Sequence, residues 1–429
     1  MQKYIIHLSV ILAMQFAITD LIAQPIPPTA QQMDAAEQYS VSMGGQTFVV
    51  IFQGNIIIES YQNGGNADNL QLLGSGTKGF TGMIGAIAAY DGIIKLDTPV
   101  VEVLTEWIGD SAKSKITYRH LLTMSSGLEE LKDQTLWTDF LAAKVLYPAG
   151  STFIYGPDPN LFGLALQRKL GSEKVVDYMN RKLFQPLGIR VQWQGNFADG
   201  NPQLSGGAYV RANEWYKFGE FVRLTLQDQW TGPAILPKQQ MMQVIQSSQA
   251  YPAYGFYWWL KEPVADSVAI KVNLINSNIH TTQIKPILDE NKIPDDFMMC
   301  RGAYGQCLYV IPSRDLVVVR NAPASSTGFY KDVEFLTRLL GTNTTSVDDI
   351  ADGPELRIFP NPANDMLYIN GLEGDTFNCQ FYNYNGQFLS DEETSNKSIS
   401  VKDLPTGFYT LIISDTKGNR YAKKLVINK

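Results

Sequence analysis

Leu73-Gly74-Ser75-Gly76-Thr77-Lys78-Gly79-Phe80 decides how this chain is read, because it sets a serine three residues before a lysine at the head of an apolar-periodic run. Phe80, Met83, Ile84 and Ile87 recur at helical spacing and Asp91-Gly92 supplies a stop, so the pattern predicts a helix beginning at the Ser-x-x-Lys element. Positions i and i+3 share a helix face, which brings the Lys78 amine within reach of the Ser75 hydroxyl. A first helical turn also carries backbone N–H groups without intrahelical acceptors and the positive end of the dipole, a setting that favours an oxyanion. Serine is a weak nucleophile that needs a base, and a desolvated lysine serves once it has lost its proton. The tetrapeptide also occurs by chance in ordinary helices, so the rest of the chain has to support it.

The chain has 429 residues, 45% hydrophobic and 18% charged, enough for two or three globular domains. A net charge of −7 and the lack of a long basic run argue against nucleic acid as a partner. Residues 1–23 read as a secretory signal: Lys3 opens it, Tyr4 to Ile18 is largely apolar, and Leu21-Ile22-Ala23 precedes Gln24. That stretch is short and interrupted for a membrane span and no later run approaches it, so an exported chain with no transmembrane span in its mature form is expected. Cys300, Cys307 and Cys379 are an odd set; Cys300 and Cys307 either pair across a turn or stay buried thiols, and the second reading is preferred. Past the signal only His120 and His280 remain, with no His-Glu-x-x-His and no Gly-x-Ser-x-Gly elbow, so no metal or cofactor is expected and lysine and tyrosine are the better-stocked bases.

Taken in order, Gln24 to Gln38 reads as a loose polar lead-in, and Thr47 to Phe52 with Ile56 to Tyr61 as a hairpin about Gln53-Gly54-Asn55. Ile116 to Leu128 predicts a short helix capped by Thr117, with His120 in a structural role. Pro148 to Pro157 is turn-rich and presents Tyr155, and helices are expected over Leu161 to Leu170 and about Ala212 to Leu226, the latter after a Ser205-Gly206-Gly207 turn. The aromatic stretch Tyr254 to Leu260 reads as a core strand, and residues 265–296 as an insertion or lid. Two strands, Cys307 to Ile311 and Leu316 to Arg320, follow Gly302-Ala303-Tyr304-Gly305-Gln306 around a Pro312-Ser313-Arg314-Asp315 turn. Strand pairs at both ends with helices between imply an α+β fold, an antiparallel sheet closed by the terminal segments of the region and flanked by helices. Residues 341–355 are small, polar and acidic, a linker, after which short evenly spaced β-rich runs over 356–429 predict a small all-β sandwich.

With these blocks in view, residues 47–340 resemble the serine β-lactamase and penicillin-binding superfamily in its class C-like branch. Ser75-Gly76-Thr77-Lys78 is similar to its Ser-x-x-Lys; Asp91 to Asp97 and His120 to Leu128 resemble its structural signatures, and Tyr155 sits where the branch carries a catalytic tyrosine. The resemblance implies an exported serine hydrolase of residues 24–340 in which Ser75 forms an acyl-enzyme on an ester or amide substrate, possibly a cyclic amide. Lys78 and Tyr155 would share acid–base work, and Ser75 and Ala303 N–H groups would hold the oxyanion. Two departures bear on substrate. Proline 157 replaces the asparagine of Tyr-x-Asn, leaving Asn160 as the candidate substitute. Cys300-Arg301-Gly302 replaces Lys-Thr-Gly, leaving Arg301 as the candidate carboxylate ligand although a strand points it opposite to Cys300. Gly302 to Gln306 resembles the aminohexanoate-oligomer hydrolase and esterase subgroup. A catalytically silent module that binds cell-wall fragments is the alternative.

Residues 356–429 resemble the C-terminal sorting domain of type IX secretion, from Phe359-Pro360-Asn361-Pro362-Ala363 through Leu404-Pro405-Thr406-Gly407-Phe408-Tyr409 to Lys423-Lys424-Leu425-Val426-Ile427. That resemblance implies type IX secretion machinery as a partner and delivery to the cell surface or medium.

Overall fold

Thr47–Phe52 is an unbroken run of β-branched and aromatic residues, and it forms a strand (β1) buried along its whole length. The computed structural model containing it describes residues 25–429 other than 132–133, 195–196, 262–292, 324–329, 342–355, 373, 375, 384–387, 395 and 417–419. The signal, the linker beyond Gly341, His280 and nearly all of the expected insertion lie outside the described residues.

β1 pairs antiparallel with β2 (Asn55–Tyr61) on one side, as the hairpin pattern requires. The chain then forms β3 (Gln71–Leu72), α2 (Lys78–Tyr90), α3 (Tyr118–Leu122), α4 (Asp158–Leu170), α5 (Val175–Met179), α6 (Gln185–Leu187), β4 (Gln192–Trp193), β5 (Ala208–Val210), α7 (Ala212–Leu226) and α8 (Lys238–Val244). It returns to the sheet with β6 (Trp259–Leu260), β7 (Met298–Gly302), β8 (Gln306–Ile311) and β9 (Leu316–Asn321) before helix α9 (Asp332–Leu340). The order β2-β1-β9-β8-β7-β6 places first and last strands side by side, the closure expected of the α+β reading.

Strand alternation sorts the two faces of this sheet. Leu308, Val310 and Val317 lie against α7, where a methyl group on Gly219 would clash with Val317 and Leu308 at 2.6 and 2.9 Å. On the other face, Phe48 meets Phe335 of α9 edge-on and Tyr309 stacks on it. Here α1 (Ala30–Ser42) replaces the expected loose lead-in. Thr29 caps it reciprocally with Gln32, and Met33, Ala36 and Ser40 make a narrow buried stripe. Small and polar residues on that stripe hid the helix from a hydropathy pattern.

Two further departures have local causes. Tyr254 to Leu260 is core, but only Trp259–Leu260 is strand: Tyr257 sits at φ +63° and the segment folds back so that Tyr254 bridges Trp259. Cys300 pairs in register with Leu308 and Arg301 with Cys307, so the two cysteines face opposite sides of the sheet; all three cysteines are free and buried.

Residues 356–429 have their own core of Leu367, Ile369, Cys379, Phe381, Leu411 and Leu425. Two sheets enclose it: β10 (Arg357–Phe359), β11 (Met366–Asn370) and β14 (Ser398–Ser400) form one, and β13 (Phe388–Glu393), β12 (Asn378–Asn383), β15 (Gly407–Ser414) and β16 (Arg420–Ile427) form the other. β13 was not legible because Phe388-Leu389-Ser390-Asp391-Glu392-Glu393 is mostly polar. No helix among the described residues is long and apolar enough to cross a membrane.

Candidate active site

Ser75 lies in a tight turn, Gly74–Thr77, that runs directly into α2. Gly74 enters it at φ +52°, a conformation that glycine adopts without strain. The turn is laced to the start of β5 and to the segment before it. Leu73 N–H donates to the Ala208 carbonyl at 2.9 Å, and Ala208 N–H donates to the Thr77 hydroxyl at 3.1 Å. The Thr81 hydroxyl donates to the Leu204 carbonyl at 2.9 Å.

Lys78 is buried at the first turn of α2, where its amine donates to Ser75 Oγ at 3.0 Å and to the Ser205 carbonyl. It also lies 4.6 Å from the centre of the Tyr155 ring. Tyr155 is itself stacked on Trp259 at a 13° interplanar angle, so the ring is held over the lysine. Its hydroxyl makes no hydrogen bond to Ser75 or Lys78. The structure thus brings Ser75, Lys78 and Tyr155 together.

The end of β7 closes the other side. A methyl group on Gly302 would sit 1.9 Å from the Leu73 carbonyl oxygen, and one on Gly74 would sit 3.3 Å from Ala303 N. Only glycine at 302 permits that approach, and it sets the Ala303 N–H beside the Ser75 turn. Asn160, on α4, lines the same cleft with Lys78 and Tyr155; its amide stands 3.5 Å from the Ser205 hydroxyl and its carbonyl oxygen is buried without a donor. The cleft has a volume of about 410 Å³ and is walled by Phe140 and Phe197, with Gln134 and Glu130 also on its lining. None of these four was singled out from sequence, because loop residues carry no periodic signal. Ser205 was read only as part of a glycine turn.

Arg301 is not brought to the cleft. It faces the α9 side of the sheet, and its Nε donates to Asp332 Oδ2 at 2.7 Å. Burial works against its charge, but the Asp332 carboxylate and its hydrogen bond outweigh that and hold the guanidinium firmly protonated. Cys300 faces the opposite way, against Gly79 of α2, where an added methyl would meet its sulfur at 2.2 Å. Burial pushes the Cys300 thiol up, which keeps it neutral.

Asp158 begins α4 and is fully buried. Burial raises its carboxyl to about 7 against a partial pull from Ser126, and neither oxygen has a donor in hydrogen-bonding geometry. His120 is structural as expected: its Nδ1 accepts the Thr117 N–H at 3.2 Å, and burial lowers its pKa. Among the described residues no group of three or more His, Cys, Asp or Glu side chains is placed to hold a metal.

Residues 33–330 match the family model described as Beta-lactamase, and residues 357–428 match that of the secretion system C-terminal sorting domain. No curated protein matches the chain. Among solved structures, EstCE1, described as a hydrolase with promiscuous acyltransferase activity, superposes with a TM-score of 0.54 at 17% identity, over 72% of this chain and 97% of that one. A protein assigned as a 6-aminohexanoate-dimer hydrolase from Bacillus anthracis gives 0.53 at 18% identity, over 70% and 78%. A class C β-lactamase from Rhodobacter sphaeroides gives 0.51 at 18%, over 72% and 99%. At these identities the likeness is one of fold. The sorting-domain match marks the chain for type IX export to the cell surface or medium.

Proposed function

The chain belongs to the beta-lactamase family, whose members are serine hydrolases, and from that premise we propose that it cleaves an ester or small amide through an acyl-enzyme on Ser75. The contact between Lys78 Nζ and Ser75 Oγ at 3.0 Å carries the reading, because a hydroxyl needs a base within hydrogen-bond reach. Ser75 Oγ attacks the carbonyl carbon and passes its proton to the Lys78 amine, with the Tyr155 hydroxyl sharing the relay once substrate is bound. The carbonyl oxygen takes the electron pair as an oxyanion facing the Ser75 and Ala303 N–H groups. When the tetrahedral centre collapses, the leaving alcohol or amine departs with the proton and the acyl group stays on Ser75. Water then repeats the sequence and releases the acid.

Esters suit this site better than β-lactams. Neither Cys300 nor Arg301 presents a cation beside the oxyanion position, and proline at 157 withdraws an amide-binding group, with Asn160 its nearest replacement. The Tyr155 hydroxyl, without a bond to Ser75 or Lys78, is the one observation that favours a silent binding module instead. Labelling with a fluorophosphonate, followed by mass mapping, decides between the two. The adduct is expected on Ser75 and absent in Ser75→Ala; labelling of Ser125, Ser126 or Ser205 in its place, or of no serine, would overturn the assignment.

A further inference from the structure

Arg320 is a fully buried cation on β9, yet none of its hydrogen bonds reaches a carboxylate. Nη1 donates to the carbonyls of Tyr304 at 3.0 Å and Gly305 at 2.8 Å. Nε donates to Ser40 Oγ at 3.1 Å, and Nη2 to the Ser40 and Met43 carbonyls at 3.4 and 3.0 Å. The guanidinium carbon lies over the Tyr330 ring, 3.9 Å from its centre. A planar fork with several fixed donors can satisfy carbonyls from two separate segments at once, which an ammonium cannot.

One of those segments is the turn that follows Ala303. Tyr304 is held at φ +61°, a left-handed conformation that a tyrosine rarely adopts, and Gly305 follows at +76°. Both carbonyls of this turn are drawn toward the α1 side of the sheet by the same nitrogen. The front of the turn, with the Ala303 N–H, faces Gly74 and the Ser75 turn. The register extends the arrangement, since Arg320 pairs with Cys307 and Cys307 with Arg301. A row of polar side chains therefore crosses the back of the sheet behind the cleft, and Asp332 and Tyr330 complete it.

We infer that Arg320 is a positioning residue for the oxyanion site: it clamps the Tyr304–Gly305 turn to α1 and so fixes the direction of the Ala303 N–H. This inference rests on the acyl-enzyme reading above for its catalytic consequence, but not for the clamp itself. Lysine at 320 keeps the charge and loses the fork, so it is the informative substitution.

Three measurements on the full chain and its Arg320→Lys variant test it. In hydrogen exchange, the backbone amides of residues 302–306 should lose protection in the variant. With a nitrophenyl butyrate substrate, kcat should fall on the order of 10- to 100-fold, the range expected for a misplaced catalytic group, while KM moves less than about twofold. An arylboronic acid, which forms a tetrahedral anion on a serine, should lose affinity by the same factor as kcat. Tyr330→Leu removes the ring beneath the guanidinium, together with its hydroxyl contact to Tyr309, and leaves the Arg320 hydrogen bonds in place, so it should give the same pattern at smaller size and keeps the test open if the lysine variant does not fold. Unchanged exchange at 302–306 overturns the clamp. Looser exchange with unchanged kcat and boronate affinity overturns its catalytic role. If the parent chain neither turns over the ester nor takes a phosphonate on Ser75, the hydrolase reading fails, and exchange alone still decides whether Arg320 orders the turn.

Discussion

Replacing Asp158 by asparagine should change the pH dependence of stability in a direction opposite to that of most acidic residues. The carboxyl is completely buried at the first position of α4, without a hydrogen-bond donor on either oxygen, and burial moves its pKa from an ordinary 3.8 to about 7. The folded state therefore keeps a proton that the unfolded state has lost between about pH 4 and pH 7. Stability depends on the difference in bound protons, so the native state loses ground as pH rises through that window and levels off above it. At about 1.4 kcal/mol for each tenfold change in proton affinity, the full loss is on the order of 4 kcal/mol. Asparagine does not titrate. The side-chain amide brings its own cost of about 1–3 kcal/mol for buried polar atoms without partners, but that cost is constant with pH. Urea unfolding of both proteins at about pH 4.5, 6 and 8 should then show Asp158→Asn gaining on the parent by up to ~4 kcal/mol from the acid to the alkaline end. A difference that stays flat, or that grows in the parent's favour as pH rises, would refute the assignment of a neutral buried carboxyl.

Three further predictions concern other parts of the chain. Asp332→Asn removes the charged partner of buried Arg301 and leaves one acceptor oxygen where Arg301 used one and Tyr309 and Cys307 shared the other, so denaturant unfolding should show a loss of about 3–5 kcal/mol; a loss below about 1 kcal/mol would mean that the network is not coupled. Because neither Cys300 nor Arg301 presents a cation to the cleft, the specificity constant for a short-chain nitrophenyl ester should exceed that for nitrocefin by about one to two decades, the worth of a charge-assisted bond of roughly 1.5–3 kcal/mol; a preference for nitrocefin would sink the argument. Deleting residues 356–429, which hold the sorting-domain match, should strand the protein in the periplasm of its host in fractionation and immunoblotting, and normal surface delivery would contradict the sorting role.

Much of the sheet was legible because its central strands are buried on both faces. β1, β8 and β9 consist almost wholly of apolar and β-branched residues, a pattern that needs no partner to be read. α7 was legible from a broad apolar stripe. α1 was not, because its buried stripe is Met33, Ala36 and Ser40 and its packing against α9 depends on small side chains. β7 was equally hidden, since Met298-Met299-Cys300-Arg301-Gly302 shows no alternation, and its strand character comes from pairing with β8.

The same asymmetry runs through the site. The front of it, Ser75 and Lys78, is local: one helical turn brings them together, so spacing alone could find them. The back is not local. Whether Arg301 serves the cleft depends on which face of β7 it occupies, and that is fixed by the pairing of Arg301 with Cys307 and by Asp332, which lies 31 residues further along the chain. Once Asp332 claims the guanidinium, Cys300 is left facing α2, where Gly79 leaves it just enough room. A lysine at 300 would have to pass a helix packed at that distance, so restoring a substrate cation would need a change in α2 as well as in β7. The absence of a side-chain cation from positions 300 and 301 on the cleft side of β7 is therefore tied to the packing of α2 on that strand, and substitution at position 300 alone should not convert this site to one that prefers anionic substrates.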